Sequence, residues 1–204
     1  MIPLILASQS PRRRQLLTEA GFVFEVHPPD SHVENARQHH ETPEQYVSRL
    51  ATQKANNVAE KFDQGLIIAC DTVVLCQNQI LEKPTNRDHA RQMLQFSRGQ
   101  MQSVLSGLCL LTKNITNNTT KNVSENNSMT ITKTEKTTLF MQHITDSEIE
   151  EYLDGGLWKG KAGAFGYQDR NHWLSLIEGS ESNIVGLPME LLKQMLQNKY
   201  SKID

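Results

Sequence analysis

A chain of 204 residues with 21 Lys and Arg against 23 Asp and Glu carries a formal charge of −2. That length suits one domain with a sizeable core, and the near-neutral balance excludes a general nucleic-acid binder, which has a clear basic excess. Cys70, Cys76 and Cys109 have no zinc-type spacing, no apolar run reaches membrane-spanning length and the N-terminus lacks a secretory signal, so the expectation is a reduced, cytoplasmic protein without membrane or nucleic-acid partners.

Residues 2–7 read as a short buried strand. Ser10 is a good N-cap and Pro11 suits the first helical position, so a helix starts there and runs to about Ala20, with Gly21 as its left-handed stop. Leu16, Leu17 and Ala20 form its apolar face. Arg12, Arg13 and Arg14 fill its first turn, the end that already carries partial positive charge, at a cost of about 0.3–1 kcal/mol each when exposed. Either this is a solvated basic turn, or free N–H groups and arginines together await a polyanion. Phe22, Phe24 and Val26 alternate as a second strand, ended by His27-Pro28-Pro29. The polar segment from Asp30 to Glu41 holds His32, His39 and His40 near Asp30 and Glu34. No His-x-x-x-His pair lies on a predicted helix, so these read as loop histidines rather than metal ligands.

Thr42-Pro43-Glu44-Gln45 is a capping box that opens a helix running to about Phe62. Its apolar face is Val47, Leu50, Ala51, Val58 and Phe62, and Lys54 falls on that same face. A lysine among core positions either snorkels to the edge or points into a pocket. Leu66 to Cys70 is an unbroken apolar run, as expected of a central strand covered on both faces. Asp71 and Thr72 interrupt it before Val73-Val74-Leu75. A carboxylate in so apolar a stretch is costly to bury alone. It either caps a loop at the strand end or serves as metal ligand or base at the edge of a cleft. Gln77-Asn78-Gln79 turns the chain back through Ile80 and Leu81, and Glu82-Lys83-Pro84 sets two charges beside a rigid proline.

Thr85 or Asn86 caps a third helix, with Ala90, Met93 and Leu94 inward and Gly99 near its stop. Residues 101–112 return to strand character. The stretch 114–127 is low in complexity, dominated by Asn, Thr, Ser and Lys, and reads as an exposed surface loop or hairpin extension whose Asn-x-Ser/Thr triplets are accidents of composition. Residues 129–143 alternate again and pair with the strand before the insertion. Thr145-Asp146-Ser147-Glu148 caps a short helix with Ile149, Tyr152 and Leu153 inward, stopped by Gly155-Gly156. In Gly160 to Gln168, three glycines alternate with small or aromatic residues, and such a loop lets backbone approach a ligand closely. Its lysine, Lys161, precedes the later glycines, so this is not a Walker loop. His172 to Ile177 is a last strand. Ser182 to Pro188 turns into a C-terminal helix with Leu191, Leu192, Met195 and Leu196, and a frayed polar tail follows from Gln197.

Six ordered stretches together resemble the Maf family of nucleotide pyrophosphatases. They are Leu6-Ala7-Ser8-Gln9-Ser10-Pro11-Arg12-Arg13; Arg49-Leu50-Ala51 with Lys54-Ala55; Asp71-Thr72-Val73-Val74; Glu82-Lys83-Pro84; Lys161-Ala162-Gly163-Ala164-Phe165-Gly166 with Gln168; and Asn183 with Val185-Gly186-Leu187-Pro188. The resemblance covers nearly the whole chain except the Asn/Thr-rich insertion, so residues 1–204 read as one Maf-like domain. It implies an α/β fold: a central mixed sheet flanked by helices, two lobes and a nucleotide cleft between them, of the Maf/ITPase-like kind. It also implies hydrolysis of a nucleoside triphosphate to the monophosphate and pyrophosphate, with a divalent metal, Mg2+ or else Mn2+, in a homodimer. One subgroup has Arg-Arg after Ser-Pro, threonine after the aspartate and glutamine ending the Gly-rich loop, and prefers dTTP and UTP. Arg12, Thr72 and Gln168 match it. The rival subgroup has tryptophan and glutamine at the first two positions and prefers 7-methyl-GTP. A second rival is a nucleotide-binding regulator of division with little turnover. The chain departs from the family pattern at Gln102, where histidine is frequent, at Gly160, where aspartate is common before the lysine, and at Asp169, where glycine often follows the glutamine.

The resemblance gives the role of Asp71, and the chemistry of the residues suggests the others. Asp71 is the catalytic base, and Asp71 with Glu34 on the neighbouring loop would hold the metal. Ser8, the N–H groups after Ser10, Arg13, Lys54 and Lys83 would cradle the triphosphate, with Lys54 and Lys83 beside the reacting bond and Lys161 on the substrate from the Gly-rich loop. Arg12, Thr72 and Gln168 would read the pyrimidine. The side-chain amide of Gln168 donates and accepts at once, which suits a carbonyl next to an imide N–H.

Overall fold

The computed structural model describes residues 2–118 and 123–200. The chain runs β1 (Leu4–Leu6), α1 (Pro11–Glu19), β2 (Glu25–Val26), α2 (Pro43–Ala59), β3 (Gln64–Cys76), β4 (Gln79–Leu81) and α3 (Arg87–Ser97). It continues through β5 (Met101–Asn118), β6 (Val123–Met141), α4 (Asp146–Asp154), β7 (Leu174–Glu178), α5 (Glu181–Val185) and α6 (Met189–Tyr200). The strands form one seven-stranded mixed sheet in the order β2-β1-β3-β5-β6-β7, with β4 also on β3. β1 is parallel to both β2 and β3, and the remaining pairs are antiparallel.

The unbroken apolar run of β3 is explained by cover on both sides. Leu66, Ile68 and Cys70 face α1 and α6, packing with Leu17, Leu192 and Met195. Ile67 and Ala69 face α2, packing with Ala51, Ala55 and Val58. Each Leu or Ile so buried contributes about 1.5–3 kcal/mol relative to an exposed one. A second core lies at the other end of the sheet. There Leu94 of α3 and Ile149 and Tyr152 of α4 meet Val104, Leu139 and Met141, and Trp173 stacks on Phe165 with centroids 5.2 Å apart. These two cores give the two lobes.

Most caps lie where their residue types demand. Ser10, Thr42, Asn86 and Thr145 each accept a backbone N–H of their helix's first turn, and Thr42 and Thr145 form full capping boxes. The turn expected at Gln77-Asn78-Gln79 has left-handed φ at Gln77 and Asn78, which suits a tight hairpin. Other boundaries differ from the sequence reading. The second strand covers only Glu25–Val26, paired as Ile5↔Glu25 and Leu6↔Val26; Val23 is left exposed. Ala20 is exposed rather than on the apolar face of α1. α2 ends at Ala59, and Phe62 packs against its core from beyond the helix. Residues 171–173 form a 3-10 turn before β7, and Glu181–Val185 is a short helix rather than only a turn, capped by Ser180. The β5–β6 ladder continues into the Asn/Thr-rich stretch as far as Asn118↔Val123. The tip of that stretch, 119–122, and the end of the polar tail, 201–204, lie outside the described residues. Among the described residues no helix is long and apolar enough to cross a membrane.

Candidate active site

The site forms where one edge of the central strand is left open. β1 pairs with β3 only over Leu66–Ile68, and β4 pairs with it only over Val74–Cys76. Between them the segment Ala69–Val73 has no strand on that side, while β5 accompanies the whole of β3 on the other. The chain leaves the carboxyl end of β1 at this gap and enters α1, the kind of strand end where open α/β sheets bind ligands. Asp71 sits at the middle of the gap. The two-residue alternation sends Asp71 toward α2 and Thr72 toward α1 and α5, so the gap is furnished from both faces.

On the α2 side, three charged groups converge. Lys54 is buried on the apolar face of α2, which settles the choice between snorkelling and a pocket. Its Nζ donates to Asp71 Oδ1 at 2.6 Å and pairs with Glu34 Oε1 at 2.7 Å. Gly107 makes this approach possible. It lies opposite Asp71 in the β3–β5 register, and a Cβ there would meet the Val47 carbonyl oxygen of α2 at 2.3 Å. Only a glycine lets the helix lie this close to the sheet.

Glu34 comes from the segment between β2 and α2, strapped to α2 at both ends. The Asp30 N–H donates to Asn57 Oδ1 at 2.9 Å and Lys61 pairs with the Asp30 carboxylate at 2.9 Å. At the far end Arg49 grips Glu41 through Nε and Nη2 at 2.7 and 2.8 Å and also bonds the Ala36 carbonyl. Val33 is buried between these anchors. The Arg49 hydrogen bonds hold the Glu41 carboxyl below its usual range. Partial burial pushes the Glu34 carboxyl up, but the Lys54 hydrogen bond and the nearby charges of Lys54, Lys83 and Arg13 outweigh it and leave the group lowered. Lys83 itself is exposed on the corner after β4 and reaches this cluster through its field.

On the α1 side, Arg13 turns inward. Its Nη1 donates to Ser8 Oγ at 3.2 Å, its Nη2 to Thr72 Oγ1 at 3.4 Å and its Nε to the Gly186 carbonyl at 2.7 Å. Ser8 Oγ also accepts from the Ser10 N–H at 3.1 Å. Thr72 Oγ1 shares a hydrogen bond with the fully buried Ser106 at 2.8 Å. Gly186 has φ +116, so its carbonyl is aimed by a backbone conformation that side-chain-bearing residues resist. Arg14 is exposed.

The Gly-rich loop closes the site from the second lobe. The Gly163 N–H, at a residue with φ +67, donates to the Glu82 carbonyl at 3.1 Å, tying the loop to the Glu82-Lys83 corner. Lys161 is half-buried and paired with Asp169. Gln168 is exposed in the turn that follows, and among the described residues no hydrogen bond joins it to the other site residues. Arg12 is half-buried, and its charge is felt at the Tyr152 phenol in this lobe. Thus Ser8, Arg13 and Thr72 form one bonded group and Lys54, Asp71 and Glu34 another. Lys83 and Arg12 flank them, and Lys161 and Gln168 belong to the loop. Sequence reasoning left Gly107, Ser106, Glu41 and the Gly186 carbonyl without roles. Only Gly186, within the Asn183 to Pro188 stretch, carried any signal. Among the described residues no three His, Cys, Asp or Glu side chains gather as a ready-made metal site.

This arrangement has close relatives. The family model described as "Maf-like protein" matches residues 3–199. A dTTP/UTP pyrophosphatase of Rhodopirellula baltica is 45% identical over 196 residues, covering 96% of this chain and 81% of that protein. One of Koribacter versatilis is 37% identical over 195 residues, 95% of this chain and 93% of its own. One of Ruminiclostridium cellulolyticum is 34% identical over 201 residues, covering 98% and 97%. With the match running through both lobes and every stretch that builds the site, the chain belongs to the Maf family.

Proposed function

We propose that this chain is a nucleoside triphosphate pyrophosphatase that hydrolyses dTTP and UTP to the monophosphate and pyrophosphate. The observation that carries this reading is the open edge of β3, where Asp71 stands between Lys54 on one face and the Ser8–Arg13–Thr72 group on the other. The similar proteins named dTTP/UTP pyrophosphatase support the substrate assignment.

Cleavage between the α and β phosphates requires a held water, a base and neutralisation of charge on the departing pyrophosphate. Lys54 fixes Asp71 through Oδ1, and among the described residues the second carboxylate oxygen has no protein partner. That oxygen takes the proton of a water whose oxygen bonds the α-phosphorus, while the bond from the α-phosphorus to the bridging oxygen breaks and the electron pair leaves with pyrophosphate. Ser8, Arg13, the N–H groups at the start of α1, Lys54 and Lys83 meet the phosphate charge, and Lys161 supports the substrate from the loop. Arg12, Thr72 and Gln168 read the base, with the Gln168 amide set against a carbonyl and imide N–H.

A divalent cation, Mg2+ or alternatively Mn2+, fits this site. The Asp71 and Glu34 oxygens meet at a single ammonium, 2.6 and 2.7 Å from it, so both can reach one cation, and two carboxylates with substrate phosphate oxygens are a donor set Mg2+ accepts. When bound, such an ion would neutralise phosphate charge and acidify water. The nucleotide chemistry and the three free, buried cysteines support a cytoplasmic location, and family membership supports a homodimer.

A panel of dTTP, UTP, CTP and 7-methyl-GTP, scored by pyrophosphate release with and without Mg2+, tests the reading. Metal-dependent release strongest from dTTP and UTP is the expected result. Preference for 7-methyl-GTP, or tight binding with no product, would replace it with one of the two rivals.

A further inference from the structure

Asp169 stands at the centre of a largely buried polar knot, and the proposed reaction assigns no task to Asp169 itself. Its Oδ2 accepts from the Tyr152 hydroxyl at 2.7 Å, from the Gly166 N–H at 3.1 Å and from Lys161. Its own N–H donates to the Gly166 carbonyl at 2.9 Å. Backbone and side chain of one residue therefore close the four-residue turn Gly166-Tyr167-Gln168-Asp169 from both directions. Such double closure leaves the turn little conformational freedom.

Every residue of that turn except Gln168 is tied down. The Tyr167 hydroxyl donates to Glu181 of α5 at 3.1 Å, Gly166 is bonded at both backbone groups, and Asp169 is anchored to Tyr152 in the second core. Gly166 leaves no room for a side chain, since a Cβ there would meet Asp169 Oδ2 at 2.8 Å and Lys161 Nζ at 3.0 Å. Gln168 alone projects from the turn into solvent. Burial, and then the adjacent Asp169, raise the Tyr152 phenol far above its usual range, so it remains a neutral donor to Asp169. The Asp169 and Lys161 side chains are 13% and 15% exposed, so each charge depends on the other to stay inside the lobe.

The geometry points to Asp169 as a positioning residue for pyrimidine discrimination: it clamps the turn that presents Gln168 to the base. This rests on the pyrophosphatase reading above. The preference at stake is for a base with an imide N–H, as in dTTP and UTP, over cytosine, whose corresponding ring nitrogen only accepts. A side-chain amide discriminates between these only while its position is held, because a free one can rotate or swing to satisfy either. The residue before Lys161 is Gly160, at φ +70, and cannot supply a carboxylate to pair with it. Here the carboxylate comes from the far end of the loop.

The test compares kcat/KM for dTTP and dCTP in wild type, Asp169→Asn, Tyr152→Phe, Gln168→Ala and the double variant Asp169→Asn/Gln168→Ala. The dTTP:dCTP ratio is taken within each preparation, so loss of folded protein does not move it. Asp169→Asn is expected to lower that ratio about tenfold, mainly through KM for dTTP, and Tyr152→Phe by a smaller factor in the same direction. In the Gln168→Ala background Asp169→Asn should change the ratio less than twofold, since the clamp then has nothing to present. An active wild type whose ratio survives Asp169→Asn and Tyr152→Phe overturns the proposal, as does an active wild type that does not discriminate, or an undiminished effect of Asp169→Asn without Gln168. A wild type that releases no pyrophosphate from any of these nucleotides overturns the pyrophosphatase reading itself.

Discussion

Lys54 Nζ lies 2.6 Å from Asp71 Oδ1, joining the middle of a helix to the segment of the central strand that is open along one edge. A lysine on an apolar helix face and an aspartate in an apolar strand are each costly alone. Together, at a gap in the sheet edge, they neutralise one another, and Glu34 joins the same ammonium from the strap. If Lys54 also contacts the triphosphate, Lys54→Ala should weaken binding of a non-hydrolysable dTTP analogue by about 10–100-fold while thymidine binding changes less than about threefold. Lys83→Ala should act in the same direction. Calorimetric titration of both ligands checks this, and equal losses for nucleoside and triphosphate would place the lysines elsewhere.

The Lys54–Asp71 contact depends on Gly107. Adding a methyl group there drives it into the backbone of Val47 rather than into a movable side chain. Gly107→Ala should therefore cost about 1–3 kcal/mol of stability in urea unfolding and lower activity as well, because α2 must retreat with Lys54 on it. An unchanged midpoint would mean that α2 has more room than the packing indicates.

Arg13 is held by a carbonyl, not a carboxylate. At φ +116, Gly186→Ala should lose at least about 1 kcal/mol and free the Arg13 guanidinium from its Nε anchor. KM for dTTP should rise about fivefold to tenfold, with kcat less affected, in steady-state assays. A variant with wild-type KM would show that Arg13 finds its place without Gly186.

The strap carrying Glu34 has a predictable acid sensitivity. Glu41 is lowered below its ordinary 4.5 by Arg49. A carboxyl lowered on folding contributes stability that is present above its unfolded value and is lost as pH falls through its folded value. The Tm gap between wild type and Glu41→Gln, with wild type higher at pH 7, should thus close as the pH drops below about 4.5. Thermal melts at pH 3 and pH 7 with equal gaps would contradict the assignment.

Much of this fold follows from local patterns. Capping boxes at Thr42 and Thr145, the alternating faces of β3 and the hairpin turn at Asn78 are properties of a few neighbouring residues. Lys54 and Asp71 were conspicuous because each violates the apolarity around it. What stayed hidden depends on register and distance. Nothing local reveals that Gly107 meets Val47, that Glu41 anchors the strap through Arg49, or that the Gly186 carbonyl receives Arg13. The alternation of Phe22, Phe24 and Val26 does not reveal that only Glu25 and Val26 pair with β1, and the five residues of α5 are too few for helical periodicity.

The most direct measurement is pyrophosphate release from dTTP and UTP by wild type and Asp71→Asn in the presence of Mg2+, alongside Tm and binding of a non-hydrolysable analogue. The wild type should yield nucleoside monophosphate and pyrophosphate in equal amounts. Asp71→Asn should bind the analogue and melt near wild type yet release pyrophosphate at least about 100-fold more slowly. Near wild-type turnover in a folded Asp71→Asn protein would contradict the assignment of Asp71, and with it the account of the open β3 edge as the reaction centre.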